Sequence, residues 1–116
     1  MRTILDEMRE RRIFCDGGMG SLLQAAGLQA GELPERWNLS NPQAVTDIHR
    51  QYLKAGADIM TTNTFGANRL KYGDELKSVI EAGVGNAKKA VLEAGHGYVA
   101  LDIGPTGKLL KPLGDL

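Results

Sequence analysis

The sequence has 116 residues, and its 14 basic and 14 acidic side chains give a formal net charge of zero. Such a balance offers no basic patch for binding nucleic acid or an anionic membrane. No apolar run approaches the roughly 18 residues needed to cross a bilayer, and the N-terminus lacks the apolar core of a signal peptide, so we expect a cytoplasmic protein.

The first part of the chain predicts two short helices on either side of a strand. Residues 3–12 carry an apolar patch at helical spacing and predict a helix that packs across one end of the domain. A short buried strand is predicted over residues 13–16 and a helical turn over residues 21–26. Residues 27–41 form the longest irregular segment, in which we expect Trp37 to anchor the loop rather than to line a pocket.

The clearest helix is predicted to begin at Asn41 and Pro42, a favoured N-cap followed by a residue suited to the first helical position. Gly56 is expected to end this helix. Its apolar residues recur at i, i+3, i+4, i+7 and i+8 and form one stripe. His49 lies at the edge of the stripe, where we expect a hydrogen-bonded packing residue rather than a ligand.

The remainder of the chain alternates strands with helices. Strands are predicted over residues 58–62 and 98–103, and helices over residues 68–72 and 76–94. Gly83 and Gly85 interrupt the longer helix and are expected to allow close packing, and Gly95 is expected to cap it. Helical crossovers between strands imply a parallel sheet, and no helix follows to cover the last strand. We therefore interpret residues 1–116 as the beginning of a larger α/β domain.

Polar residues and glycines stand where each predicted strand ends. Asp16 precedes Gly17 and Gly18, and Thr62 and Asn63 follow the second strand. In parallel α/β folds these ends are where ligands bind. A fixed carboxylate there can pair with a cation, and glycines let the backbone approach a ligand closely. Taken alone, Asp16 is equally well explained as a turn residue.

Cys15 is the only cysteine in the sequence, which excludes an intramolecular disulfide framework. Cys15, His49 and His96 show none of the spacings typical of zinc sites, so we expect no complete zinc site within this chain. Because strand side chains alternate, Cys15 should face the helix layer as a small buried hydrophobe if Asp16 faces the strand ends. His96 is expected at the end of the sheet opposite the ligand site.

Five motifs occur in the same order as in homocysteine S-methyltransferases, which the chain resembles from about residue 12 to residue 116. They are DGGMG (16–20), WNLSNP (37–42), AGADI (55–59), TNTFGAN (62–68) and IGPTG (103–107). The chain looks most like the N-terminal homocysteine-binding module of cobalamin-dependent methionine synthases. The sequence KLLKPLGD (108–115) favours that branch over betaine-dependent relatives.

This resemblance implies a TIM-type (β/α)8 barrel, of which the chain would supply about the first three βα units. It implies a parent enzyme that transfers a methyl group to the sulfur of homocysteine and gives methionine. Zinc, held by cysteines outside this chain, and methylcobalamin are the implied cofactors, so the chain alone is expected to bind neither and to be inactive. The implied partners are the rest of the barrel and folate- and cobalamin-binding modules.

The resemblance also implies a substrate site. Asp16 matches an aspartate that helps to hold the ammonium group, and the amides of Gly17 and Gly18 can face the carboxylate. Asp102 departs from the small residue more common in the family, and its role is left open. No catalytic and no metal-binding residue is assigned. The residues assigned to substrate binding are Asp16, Gly17, Gly18, Met19, Thr62 and Asn63.

Two alternatives remain open at this point. A related enzyme would use betaine, S-methylmethionine or S-adenosylmethionine as the methyl donor. In the second alternative the chain is not catalytic, and it self-associates as a homo-oligomer through an exposed sheet edge.

Overall fold

Short strands alternate with helices along residues 2–115, which a computed structural model describes; residues 1 and 116, included in the predicted domain, lie outside the described part. The helices are α1 (Ile4–Glu10), α2 (Gly20–Ala25), α3 (Trp37–Ser40), α4 (Pro42–Lys54), α5 (Arg69–Tyr72) and α6 (Leu76–Ala94). The strands are β1 (Ile59–Thr61) and β2 (Tyr98–Ala100), and 3-10 turns cover Pro34–Arg36 and Gly73–Glu75. Among these helices, none combines the length and the apolar composition that a membrane crossing needs.

The two strands pair in parallel, with Ile59 opposite Tyr98 and Thr61 opposite Ala100, which confirms the predicted parallel sheet. The α/β fold class is thereby confirmed. The long helix predicted over residues 76–94 has the predicted bounds, and Gly95 caps it in the left-handed conformation at φ +77°. The helix predicted over residues 3–12 is shorter, because Thr3 and Asp6 form a capping box at its start and Arg11 is already extended.

The prediction of a regular strand over residues 13–16 is wrong, because this segment forms only an isolated parallel bridge, between Cys15 and Ile59. The Asp16 N–H donates to the Ile59 carbonyl at 2.9 Å. In a regular parallel ladder the Thr61 N–H would then donate to the Asp16 carbonyl. It donates instead to the Asp16 carboxylate at 3.0 Å, so the side chain takes the place of the backbone and the pairing ends there.

Apolar side chains on the helix side of the sheet form the core, in two clusters. Met60 of β1 is fully buried, and Tyr52 of α4 packs against both clusters. Trp37 packs against the second cluster, which confirms its predicted role as an anchor of the long loop, but it also lines a separate surface cavity, which the prediction did not expect. The first cluster contains Leu53, Ala57, Met60, Ala87 and Ala90, and the second contains Leu23, Leu28, Val45 and Ile48.

The two glycines within α6 have different surroundings. A Cβ built on Gly83 would lie 2.8 Å from Asn38 Nδ2 and 2.9 Å from Thr64 Cγ2, so this glycine permits the close packing that was predicted. Nothing lies within 4 Å of a Cβ built on Gly85, and the prediction is wrong for that residue. Two residues further along a helix, a side chain points away from the neighbour that the first one meets.

His49 lies on the interior side of α4, not at its edge. The side chain is fully buried, and neither ring nitrogen has a hydrogen-bond partner within the described residues. The prediction of a hydrogen-bonded packing histidine is therefore wrong. Burial alone lowers the pKa of His49 to about 4, because the charged form cannot be solvated there.

Acidification is expected to destabilise the protein through His49. Between pH 6.5 and pH 4 the unfolded chain binds a proton at this residue that the folded chain does not, so the free energy of unfolding falls as the pH falls. The loss attributable to His49 is about 3 kcal/mol at most. Urea unfolding of wild type and His49→Leu across this range should show a shallower pH dependence for the variant.

His96, which is exposed, supplies the matched control, and His96→Gln should leave the pH dependence of the wild type unchanged. At pH 7 His49→Leu should be no less stable than the wild type, because it removes two buried polar atoms without partners. An identical loss of stability in His49→Leu and wild type between pH 6.5 and pH 4 would contradict this expectation.

Candidate functional site

A cavity of about 310 Å³ lies at the carboxyl ends of the strands. Four segments meet around it: the glycine-rich turn after residue 16, the 3-10 turn Pro34–Arg36, the end of β1 with the loop that follows it, and Asp102 after β2. Five of the six residues assigned to substrate binding from the sequence line this cavity, and Asp16 does not. The lining residues are Gly17, Gly18, Met19, Gly20, Pro34, Glu35, Thr61, Thr62, Asn63, Phe65 and Asp102.

Asp16 is held beside the cavity by Thr61, which does line it. The Thr61 N–H donates to Asp16 Oδ2 at 3.0 Å, and the Thr61 hydroxyl donates to Oδ1 at 2.9 Å. Burial raises the pKa of the Asp16 carboxyl, and the two hydrogen bonds from Thr61 act in the opposite direction. Each oxygen keeps a further acceptor position, so the fixed carboxylate can still receive a cation.

The two glycines after Asp16 have different surroundings. A Cβ built on Gly17 would lie 2.9 Å from the Tyr52 hydroxyl oxygen, so packing against α4 requires glycine there. The same hydroxyl donates to the Gly18 carbonyl at 2.7 Å and fixes the turn. A Cβ built on Gly18 would meet only Ser21 Oγ, at the ordinary distance of 3.6 Å. There is therefore space for a small side chain at Gly18.

Buried hydroxyls connect the loop after β1 with the segment after β2. Thr64 Oγ1 donates its only proton to the Asp102 carbonyl at 2.7 Å, so the 2.7 Å contact between Thr62 and Thr64 has Thr62 as donor. The Asp102 N–H donates back to Thr62 Oγ1 at 3.1 Å. These bonds commit the Thr62 proton to the scaffold and fix Asp102 at the cavity wall.

Asn38 of α3 ties the same loop to the long helix. Its Nδ2 donates to the Asn63 carbonyl at 2.8 Å and to the Val79 carbonyl at 3.1 Å. In return Asn63 Nδ2 donates to Asn38 Oδ1 and to the Pro34 carbonyl, both at 3.0 Å. Asn63 is thus both a lining residue and a member of the buried polar scaffold.

Glu35 is a lining residue that sequence reasoning missed. Only 5% of its surface is exposed, and its carboxylate accepts hydrogen bonds from the Tyr72 hydroxyl at 2.8 Å and from the Gly66 N–H at 3.2 Å. Burial, together with this carboxylate, raises the pKa of the Tyr72 phenol. Its position in the long irregular segment was the one available signal in the sequence. The burial of Glu35 could not be inferred from that position, because a glutamate in a loop is ordinarily exposed.

Cys15 lies outside the cavity, and the prediction that it is buried against the helices is wrong, because the side chain is exposed. The bridge places Cys15 opposite Ile59. Met60, the next residue, is the one that enters the helix-side core, so Ile59 and Cys15 belong to the other face of the sheet. Within residues 2–115, no three His, Cys, Asp or Glu side chains are grouped so that they could hold a metal ion.

The opposite end of the sheet carries a separate cleft closed by α1. Arg11 forms an ion pair with Asp58 at 3.0 Å, and the Asp58 carboxylate also accepts the Phe14 N–H at 2.9 Å. This ion pair ties the end of α1 to the amino end of β1. The prediction that the apolar patch of this helix packs against the domain is wrong, because Leu5 and Met8 are 62% and 56% exposed. His96 lines that cleft and lies away from the cavity described above.

The chain is similar to known proteins in sequence and in fold. A family model described as homocysteine S-methyltransferase matches residues 13–115. The chain is 34% identical over 121 residues to the methionine synthase of Mycobacterium tuberculosis, covering 91% of the chain and 10% of the relative. It is 38% identical over 77 residues to that of Mycobacterium leprae, covering 61% of the chain and 6% of the relative. The chain therefore spans about a tenth or less of the length of these relatives.

Solved structures of the homocysteine methyltransferase MmuM from Escherichia coli are also similar. The metallated form matches with a TM-score of 0.77 at 24% identity, over 90% of this chain and 42% of the other, which shows a shared fold. The apo form matches with a TM-score of 0.68 at 28% identity, over 89% of this chain and 40% of the other.

Proposed function

Because this chain belongs to the homocysteine S-methyltransferase family, we propose that it forms part of the homocysteine pocket of an enzyme that makes methionine. The observation that supports this most directly is the shared cavity. The glycine turn after Asp16 and the loop through Thr62 and Asn63 line it together, at the ends of the strands where such folds bind ligands.

In this proposal each side of the cavity recognises a different part of the amino acid. Asp16 pairs with the ammonium group through the acceptor positions that Thr61 leaves free. The amides at Gly17 and Gly18 face the substrate carboxylate, where glycine permits a close approach. Met19, which also packs against the second core cluster, contacts the methylene groups. These contacts position the sulfur but do not activate it.

The residues of this chain do not fit the zinc site that the family resemblance implies. No suitable group of three ligands exists within residues 2–115, and the lone thiol of Cys15 lies outside the cavity. A thiolate is a far better nucleophile than a thiol. We therefore assign activation of the homocysteine sulfur to zinc-binding residues other than those of this chain.

Methylcobalamin is the methyl donor that we propose. The two methionine synthases are 34% and 38% identical to the chain over the matched regions, whereas the MmuM structures are 24% and 28% identical. The chain spans about a tenth or less of those synthases, so we propose the rest of the barrel and folate- and cobalamin-binding modules as its partners.

The full gene product that contains this chain is expected to convert L-homocysteine to methionine when supplied with methylcobalamin and zinc. Methionine would be measured by mass spectrometry in parallel reactions with betaine, S-methylmethionine or S-adenosylmethionine. The 116-residue chain alone is expected to give no methionine. Turnover by that chain would contradict the assignment of sulfur activation, turnover with another donor would contradict methylcobalamin, and no turnover with any donor would contradict the function.

A further inference from the structure

Glu35 is a buried acidic residue of the cavity wall, and no cationic side chain among the described residues pairs with it. Glu35 is one of the residues that line the cavity, and both hydrogen-bond donors to its carboxylate, the Tyr72 hydroxyl and the Gly66 N–H, are neutral. Within the described part of the chain Glu35 takes part in no ion pair. A buried carboxylate without a counter-charge is costly, and two donors leave acceptor positions on its oxygens unused.

The neighbouring arginine does not balance this charge. Arg36 forms an ion pair with Glu75 at 2.8 Å, and its guanidinium lies over the Tyr72 ring at 5.5 Å from the centroid. The guanidinium is therefore engaged by Glu75 and by the face of the Tyr72 ring, and the Arg36 side chain remains about half exposed. Tyr72 contacts both residues, because its ring faces Arg36 while its hydroxyl donates to Glu35 at 2.8 Å.

The composition of the cavity wall indicates what would balance Glu35. Among the described residues that line the cavity, none has a basic side chain, and Asp102 adds a second carboxylate. A ligand group that enters beside Glu35 is therefore stabilised if it is cationic and destabilised if it is anionic.

We propose that Glu35 determines specificity for the protonated amine of the substrate, so that the site takes an amino acid in preference to the same thiol acid without its amine. This inference rests on the proposed function. Glu35 lines the cavity from the 3-10 turn Pro34–Arg36, and Asp16 lies beside the cavity, bonded to the lining residue Thr61. The two carboxylates would then hold the amine between them.

The substitution Glu35→Gln removes the negative charge of the side chain but keeps its shape and its hydrogen-bonding capacity. The amide keeps the shape of the side chain, its oxygen can accept from the Gly66 N–H, and its nitrogen can donate to the Tyr72 hydroxyl after that hydroxyl rotates. The cavity wall is then retained and only the charge is lost. Glu32→Gln, an exposed position in the same segment, is the matched control. Tyr72→Phe removes a bond behind Glu35 and leaves its charge in place.

The test compares L-homocysteine with 4-mercaptobutanoate, which has the same thiol and carboxylate but no amine. Equilibrium binding of each compound would be measured by calorimetry on the full gene product, and methyl transfer would be measured alongside. Glu35→Gln should weaken homocysteine binding about tenfold or more, as expected for a lost charge-assisted hydrogen bond, and leave 4-mercaptobutanoate unaffected. Glu32→Gln and Tyr72→Phe should both keep the wild-type preference for homocysteine.

Other outcomes would overturn the proposal. An equal loss for both compounds in Glu35→Gln would show a structural role, and an unchanged preference would show that Glu35 does not meet the amine. A preference that depends on Glu35 in a protein without methyl transfer would support the role of Glu35 and contradict the proposed function. Wild-type protein that binds neither compound would contradict both.

Discussion

Replacing Asp16 with asparagine is expected to lower kcat/KM for homocysteine by roughly 100-fold, the effect of losing a charge-assisted hydrogen bond to the ammonium group in a partly desolvated site. The fold should survive, because the asparagine oxygen can accept the Thr61 N–H while its nitrogen donates to the Thr61 hydroxyl oxygen. Both hydrogen bonds that now hold the carboxylate would thus be replaced. Steady-state kinetics and thermal unfolding of the full gene product would measure the two effects separately.

Cys15→Ser is the control for this experiment. The exposed thiol is the immediate neighbour of Asp16, but unlike the Asp16 carboxylate it is not bonded to the lining residue Thr61, so its replacement should leave kcat/KM unchanged. A strong loss in Cys15→Ser with little loss in Asp16→Asn would invert the assignment and make the thiol the functional group. Equal losses in both variants would instead indicate a general disturbance of the turn.

Replacing Asn38 with leucine is expected to destabilise the protein by about 3 kcal/mol or more, because it leaves the Asn63 amide and carbonyl without their buried partner. Only 2% of the Asn38 surface is exposed, so water cannot replace the lost hydrogen bonds. The same change should weaken homocysteine binding, since Asn63 belongs to the loop that lines the cavity. Urea unfolding and calorimetric binding would measure the two effects.

Asn41→Ala is the matched control, three residues further along the chain. Asn41 has the sequence signature of an N-cap, but its side chain makes no capping hydrogen bond to α4. Its replacement should therefore change the free energy of unfolding by no more than about 0.5 kcal/mol, the range of an ordinary surface substitution. A larger cost for Asn41→Ala than for Asn38→Leu would contradict the buried network as the source of stability.

Sequence patterns predicted those parts of the fold that local chemistry determines. The bounds of α6 and the cap at Gly95 follow from periodicity and a glycine stop, and the parallel pairing follows from the helical crossovers. The prediction of a strand over residues 13–16 was wrong because the Asp16 side chain replaces a backbone acceptor, and such a replacement has no signature in local hydropathy.

The buried polar residues were the hardest to predict. His49 occupies an apolar stripe without any partner, so its pattern is that of an ordinary packing residue. Glu35 was missed because its burial depends on Tyr72 and Gly66, which are more than 30 residues away in the chain. The glycine turn and the loop after β1 were found because strand ends concentrate polar residues. The direction of each side chain there still required the three-dimensional structure.

In the proposed site the carboxylate of Asp16 would bind the ligand while it also holds the sheet, and this double role restricts how the site can be redesigned. Only a short side chain with an acceptor oxygen can reach the Thr61 N–H from this position, which excludes nearly every residue except asparagine. Substitutions that alter the substrate preference must therefore be made at residues that line the cavity. Gly18, which meets no close neighbour, and Glu35 are the positions where a library of variants should begin.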